Sequence, residues 1–203
     1  MLYRGVERLI SQTPVARPSL LRPFSSLKKH GNVLGASEIT TASLATFEAW
    51  HSCVDVGVKG GDADQAVKMF RQHVAEDVKF YPPTYFARWE GRDEFLVLIS
   101  QVGSVFGSSF KYDRQWLSND GKEWCLEFKA EIEGDERAVI DGVDLVKLND
   151  KGEIIEFRVL ARPPNAVEAL KNTMMRRVPG PMARMKAAKG FSNLFGLGGD
   201  SKE

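Results

Sequence analysis

The chain has 203 residues, 43% of them hydrophobic, and a formal net charge of +1; this fits one domain with appendages and content enough for a core. The densest apolar run, Phe95-Leu-Val-Leu-Ile99, is far below the roughly 20 residues that a membrane-spanning helix needs. Residues 1–37 set six Lys and Arg against one Glu, and residues 176–203 set six against two acids, which leaves the middle at −8; an acidic domain excludes a nucleic-acid-binding face, because phosphate contacts need clustered Lys and Arg.

The first segment is rich in Arg, Ser and Leu, with Glu7 its lone acid. Leu2, Val6, Leu9 and Ile10 fall on one side of a helix, with Arg4 and Arg8 near the other. Arg22-Pro-Phe-Ser-Ser26 resembles the processing site of mitochondrial precursors, with cleavage near Phe24. Residues 1–24 therefore read as a presequence addressing the chain to the mitochondrial matrix. Residues 1–36 as a whole, presequence or disordered basic tail, are left outside the fold.

From Ser37, a plausible N-cap, the spacing of Leu44, Phe47, Trp50, Val54 and Val58 predicts a helix ended by Gly60-Gly61. Asp62 or Asp64 starts a second helix, with Val67, Phe70 and Val74 on its buried side. A short strand, Val78–Tyr81, stops at Pro82-Pro83. A third helix from about Arg92 carries the stripe Phe95, Leu98, Ile99, Val102 and Phe106.

The period then changes to two. Phe110–Leu117 reads as a strand, and Asn119-Asp-Gly121 as the hairpin turn after it. In the next strand Trp124, Leu126, Phe128, Ala130 and Ile132 face one way, while Cys125, Glu127, Lys129 and Glu131 face the other. Two more strands, about 138–148 and 153–161, are joined by Asn149-Asp-Lys-Gly152. A final helix follows Pro163-Pro164, with Asn165 as cap and Glu168 completing a capping box; Val167, Leu170 and Met174 give its buried face. The helix signal breaks at Pro179-Gly-Pro181. The domain is thus expected over 37–178, with a basic flexible tail over 179–203.

This order predicts an α+β fold: a cone-shaped, curved antiparallel sheet with three N-terminal helices packed on it and one C-terminal helix. Cys53 and Cys125 read as reduced small core residues. With no zinc-type Cys/His set, nucleotide loop or nucleophile elbow, neither metal nor cofactor is expected.

The element order resembles the nuclear transport factor 2-like superfamily, in its SnoaL-like and ketosteroid-isomerase-like branch. The resemblance covers about residues 38–162. It is carried by Trp50 to Gly57, by Ala75-Glu-Asp-Val-Lys-Phe-Tyr-Pro-Pro83, by Trp89-Glu-Gly-Arg-Asp-Glu-Phe95 and by Gly142 to Ile154. It implies an apolar pocket with three polar groups. Trp50 stands at the place of an oxyanion-stabilising tyrosine, and Tyr81 or Pro82 at the place of a proton-transferring aspartate, so that base is unmatched. Asp144 stands where the isomerases keep a carboxyl neutral by apolar surroundings, so that it can donate a hydrogen bond.

Alternation supports that placement independently. Asp144 shares a strand face with Ile140, Gly142, Val146 and Leu148, and burial without a charge partner raises a carboxyl pKa. Asp144 is the candidate catalytic acid. Trp50, His51, Tyr81, Tyr85, Trp89, Phe106, Tyr112, Arg114, Trp116 and Phe128 are the candidate pocket lining, with Arg114 sharing a face with Phe110, Tyr112 and Trp116. Two readings follow. The first is a cone that binds a small apolar or aromatic ligand, with weak isomerase, dehydratase or cyclase chemistry through Asp144. The second is a non-catalytic mitochondrial accessory subunit that uses the fold for docking, as a homodimer or within a larger assembly.

Overall fold

The computed structural model describes residues 27–194; the presequence reading of residues 1–24 lies outside them. Seven strands form one mixed sheet: β1 (Asn32–Gly35), β2 (Val74–Tyr81), β3 (Trp89–Glu90), β4 (Lys111–Leu117), β5 (Glu123–Ile132), β6 (Asp135–Leu148) and β7 (Ile154–Arg162). Their spatial order is β1-β4-β5-β6-β7-β2-β3. The four long strands β4 to β7 run antiparallel in sequence, as the turn signals predict. The two ends of the sheet differ from the expected all-antiparallel pattern: β1 pairs parallel with β4, and β2 parallel with β7.

Five helices pack on this curved, unclosed sheet: α1 (Thr41–Cys53), α2 (Ala63–Phe70), α3 (Arg92–Phe106), α4 (Pro164–Arg177) and α5 (Pro179–Leu194). Helix α1 starts later than Ser37. Thr40 is its N-cap and accepts from the Ser43 backbone N–H at 3.1 Å, because only a side chain just before the first turn reaches its free N–H groups. Thr40→Ala is expected to cost about 1 kcal/mol and Ser37→Ala nothing measurable; equal losses in urea unfolding would reject that cap. Past Cys53 the helix widens into a π-helical stretch, Val54–Lys59. Gly57 there faces α2 so closely that a Cβ would sit 2.8 Å from the Ala66 methyl.

The sheet's inner face and the helices enclose the core. The alternation in β5 is realised in full, with Trp124, Leu126, Phe128, Ala130 and Ile132 all buried. Phe157 of β7 is buried against Trp50, Phe80 and Phe95, with ring centroids 5.2, 6.1 and 5.5 Å away. Cys53 is buried and Cys125 half-buried, and both are free thiols.

Two segments that the sequence assigns to tails are built into the domain. Leu27 and Ala36 are buried, and β1 lies between them. At the other end, Pro179 opens α5 rather than ending the helical run, consistent with the tolerance of a helix's first turn for proline. Met182 of α5 is buried, and Lys189 pairs with Asp93 at 2.9 Å. Helix α4 is preceded by Pro163 with no side-chain cap, so Asn165 and Glu168 form no capping box.

Candidate functional site

Between the sheet and helices α1 to α4 lies a cavity of about 80 Å³. Its walls are almost wholly apolar, with Val54, Val102, Phe106, Phe128, Phe157 and Val159 among them. Asp144 on β6 supplies its carboxyl. Alternation along β6 turns Asp144 inward with Ile140 and Val146, and the residue is 5% exposed. Gly142, two residues earlier on that face, keeps the strand tight against β7: a Cβ there would lie 2.2 Å from the Leu160 carbonyl oxygen.

A hydrogen-bond chain of fixed direction ends at Asp144. Indole N–H can only donate, and Trp50 Nε1 donates to Tyr112 Oη at 2.9 Å. The phenol must then pass its own hydrogen onward, and it donates to Asp144 Oδ2 at 2.6 Å. Burial pushes the Asp144 pKa up to about 7, against the phenol's hydrogen bond, which lowers it. Burial and the neighbouring carboxylate together raise the Tyr112 phenol well above its ordinary value. Asp144 is therefore a carboxyl that exchanges its proton near neutrality, the range in which general acid–base groups work best. Oδ2 is committed to Tyr112, so Oδ1 is the oxygen left for a ligand in the cavity.

Of the sequence-predicted lining, Trp50, Phe106 and Phe128 stand in the cavity wall with Asp144, and Tyr112 reaches the site through its hydroxyl. The Trp50 N–H is spent on Tyr112 and is not free for an oxyanion. Tyr81 and Pro82 do not line the cavity; Pro83 does. Tyr81 instead packs under the Arg158 guanidinium, 4.1 Å from its ring centroid. Tyr85 and Trp89 are hydrogen-bonded to each other and line a second, outer groove.

Arg114 and Trp116, expected in the lining, lie outside the cavity. A bulge in β4 falls between Tyr112 and Gln115, and one extra residue reverses the alternation beyond it. Arg114 is turned out of the pocket and forks onto Glu127 at 2.7 and 2.9 Å, above the Trp116 ring. Gln115 takes the inward place, 1% exposed.

His51 is likewise outside the cavity. Its Nδ1 lies 3.0 Å from the Phe47 carbonyl oxygen and its Nε2 lies 2.9 Å from Gln115 Oε1. Burial lowers its pKa, opposed by those two acceptors. The Gln115 amide donates to the His30 carbonyl at 2.7 Å, and the His30 ring packs tilted against His51, centroids 4.3 Å apart. This His–Gln cluster ties the first residues of the fold to α1 and β4. Sequence alternation gives no signal for it, because Gln115 turns inward only through the bulge.

The remaining polar groups of the wall narrow the chemistry. Burial pushes the Cys53 thiol up to about 12, which makes it a poor nucleophile. Ser100 Oγ donates to the Val97 carbonyl. Among the described residues no group of three or more His, Cys, Asp or Glu is placed to hold a metal ion.

No family profile matches the sequence, and no curated protein matches it. Solved structures do. A steroid delta-isomerase from Pseudomonas aeruginosa is similar at 26% identity and TM-score 0.60, over 71% of this chain and 97% of that one. An uncharacterized protein with a cystatin-like fold, conserved in bacteria, from Silicibacter pomeroyi DSS-3 is similar at 34% identity and TM-score 0.57, over 70% of this chain and 93% of that one.

Proposed function

Because the chain belongs to the nuclear transport factor 2-like superfamily, in its ketosteroid-isomerase-like and SnoaL-like branch, we propose that its cone binds a small apolar or aromatic molecule carrying one hydrogen-bonding group. Asp144 is the residue that meets that group. The observation that carries the reading is a carboxyl with a pKa of about 7 in the wall of an otherwise apolar cavity. Such a group costs stability where a leucine would add it, so its retention is explained by use.

Asp144 supplies two abilities. Ionised, Oδ1 accepts a hydrogen bond or a proton from the ligand; protonated, it returns one. A single carboxyl that both takes and gives a proton fits an isomerisation, dehydration or cyclisation in which one hydrogen moves. The tyrosine and tryptophan hold the carboxyl in place, and the Trp50 ring adds apolar wall to the cavity. With the Trp50, Tyr112 and Ser100 hydrogens all committed, no second donor among the described residues faces a developing oxyanion, so binding is the primary activity and any turnover is slow.

The test is calorimetric titration with 2-naphthol, an uncharged aromatic with one hydroxyl. Asp144→Asn is expected to weaken binding roughly 10-fold, the value of one hydrogen bond to a charged group. Arg114→Ala, outside the cavity, is expected to change nothing. Val54→Trp, which fills the cavity, is expected to abolish binding. Absence of binding by the unaltered chain, or binding unaffected by Val54→Trp, would falsify the reading.

A further inference from the structure

The inner cavity is small for a ligand larger than one or two rings. At about 80 Å³ it falls below the roughly 300–1,000 Å³ of ordinary ligand pockets. It does not stand alone, however. A second hollow of about 750 Å³ shares Phe80, Pro83, Val102 and Leu170 with it. That outer groove runs between the Pro82–Trp89 loop, α3 and the last two helices. Its walls are apolar, with Leu98, Met174, Met175, Val178 and Met182 among them.

The groove has a charged rim of one sign. Lys171 on α4 and Lys186 on α5 both line it, and both are exposed. Among the described residues no acidic side chain lines the groove, and neither lysine has an ion-pair partner. Three other cations on the same two helices are paired: Arg176 and Arg177 with Glu133, and Lys189 with Asp93 and Glu94. Methionines along an apolar trough, Met174, Met175 and Met182, suit a flexible hydrocarbon, because the thioether chain adapts its shape to what it covers.

We propose that cavity and groove form one continuous site for an elongated anionic amphiphile: its inner end enters the cavity toward Asp144, its hydrocarbon body lies along the groove, and its carboxylate rests between Lys171 and Lys186. This rests on the cavity reading above and extends it to a ligand class. The occupant is a free amphiphilic acid, because the lysines rim a concave groove and not a flat face for a lipid bilayer.

The experiment uses the full chain and cis-parinaric acid, a polyene fatty acid whose fluorescence rises in apolar surroundings, beside its uncharged methyl ester. The acid is expected to bind more tightly than the ester. The double variant Lys171→Gln/Lys186→Gln is expected to weaken the acid about 5- to 20-fold and leave the ester unchanged, two surface charge contacts' worth. Met175→Glu, at an exposed position of the groove, is expected to weaken both. Equal affinity for acid and ester, or an acid affinity untouched by the double variant, overturns the inference. Retained 2-naphthol binding in that case leaves the cavity reading standing, whereas loss of 2-naphthol binding removes both.

Discussion

Replacing Asp144 with asparagine is expected to make the folded protein more stable at pH 9 and no more stable at pH 4. The carboxyl's pKa is raised from 3.8 to about 7 on folding, with burial as the main cause. Between those values the folded chain holds a proton that the unfolded chain has lost. Unfolding then becomes easier as pH rises through this window, and the loss is complete above pH 7. The penalty is roughly 4 kcal/mol, because each pKa unit is worth about 1.4 kcal/mol. Asparagine carries no charge and keeps an oxygen to accept from Tyr112. Its NH2 group faces the cavity, so part of the gain is given back, and a net gain of about 2–4 kcal/mol at pH 9 is expected.

Urea unfolding of both proteins at the two pH values measures this. Groups such as Asp93, whose pKa is lowered by Lys189 and Arg71 against its burial, tilt the stability curve the other way. They are common to both proteins, so the difference between the curves isolates position 144. An asparagine variant with the same pH slope as the parent would reject the raised pKa, as would a carboxyl resonance titrating at about 4 or lower in NMR. The outcome also bears on function. A residue that destabilises the native state at working pH is the mark of a site kept for what it does.

The long, strongly patterned elements were legible without coordinates. Helix α3 follows the Phe95 to Phe106 stripe, and β5 follows its alternation residue by residue, because one buried face dictates the period. Asp144 is legible for the same reason: β6 has no irregularity between Ile140 and Asp144, so counting from Ile140 places it inward. Arg114 was misplaced because the same counting crossed a bulge, and no residue between Phe110 and Trp116 announces one. Tyr112 precedes the bulge and was placed on the correct face, but its bond to Asp144 depends on β4 and β6 both flanking β5, a topological fact that periodicity does not carry. Strand β1 was missed because four residues, Asn-Val-Leu-Gly, carry too little pattern to outweigh the basic, serine-rich composition before them. Helix α5 was missed because Pro-Gly-Pro reads as a stop unless the first proline sits at a helix's first position.

The missed strand leads to the second large effect: a chain beginning at Ser37 is expected to be less stable than one beginning at Leu27 by roughly 3 kcal/mol. Leu27 is 3% exposed, and burying a leucine contributes about 1.5–3 kcal/mol. The His30 carbonyl accepts the Gln115 amide inside the fold, and leaving that amide unpaired costs about 1–3 kcal/mol. Strand β1 also covers the β4 edge from Arg114 to Leu117, which the shorter chain leaves open to pairing with other chains. Against these gains stands the ordering of ten residues, which keeps the net below the sum. Urea midpoints of the two chains measure the difference, and Gln115→Leu in both separates its parts. With leucine there, the unpaired amide is gone and the gap between the chains is expected to shrink without closing, since Leu27 still has its place. Equal midpoints in the parent pair would show that residues 27–36 rest on the domain without holding it. A gap as expected places residues 27–36 inside the folded domain, where the His30 carbonyl holds Gln115 and, through it, His51.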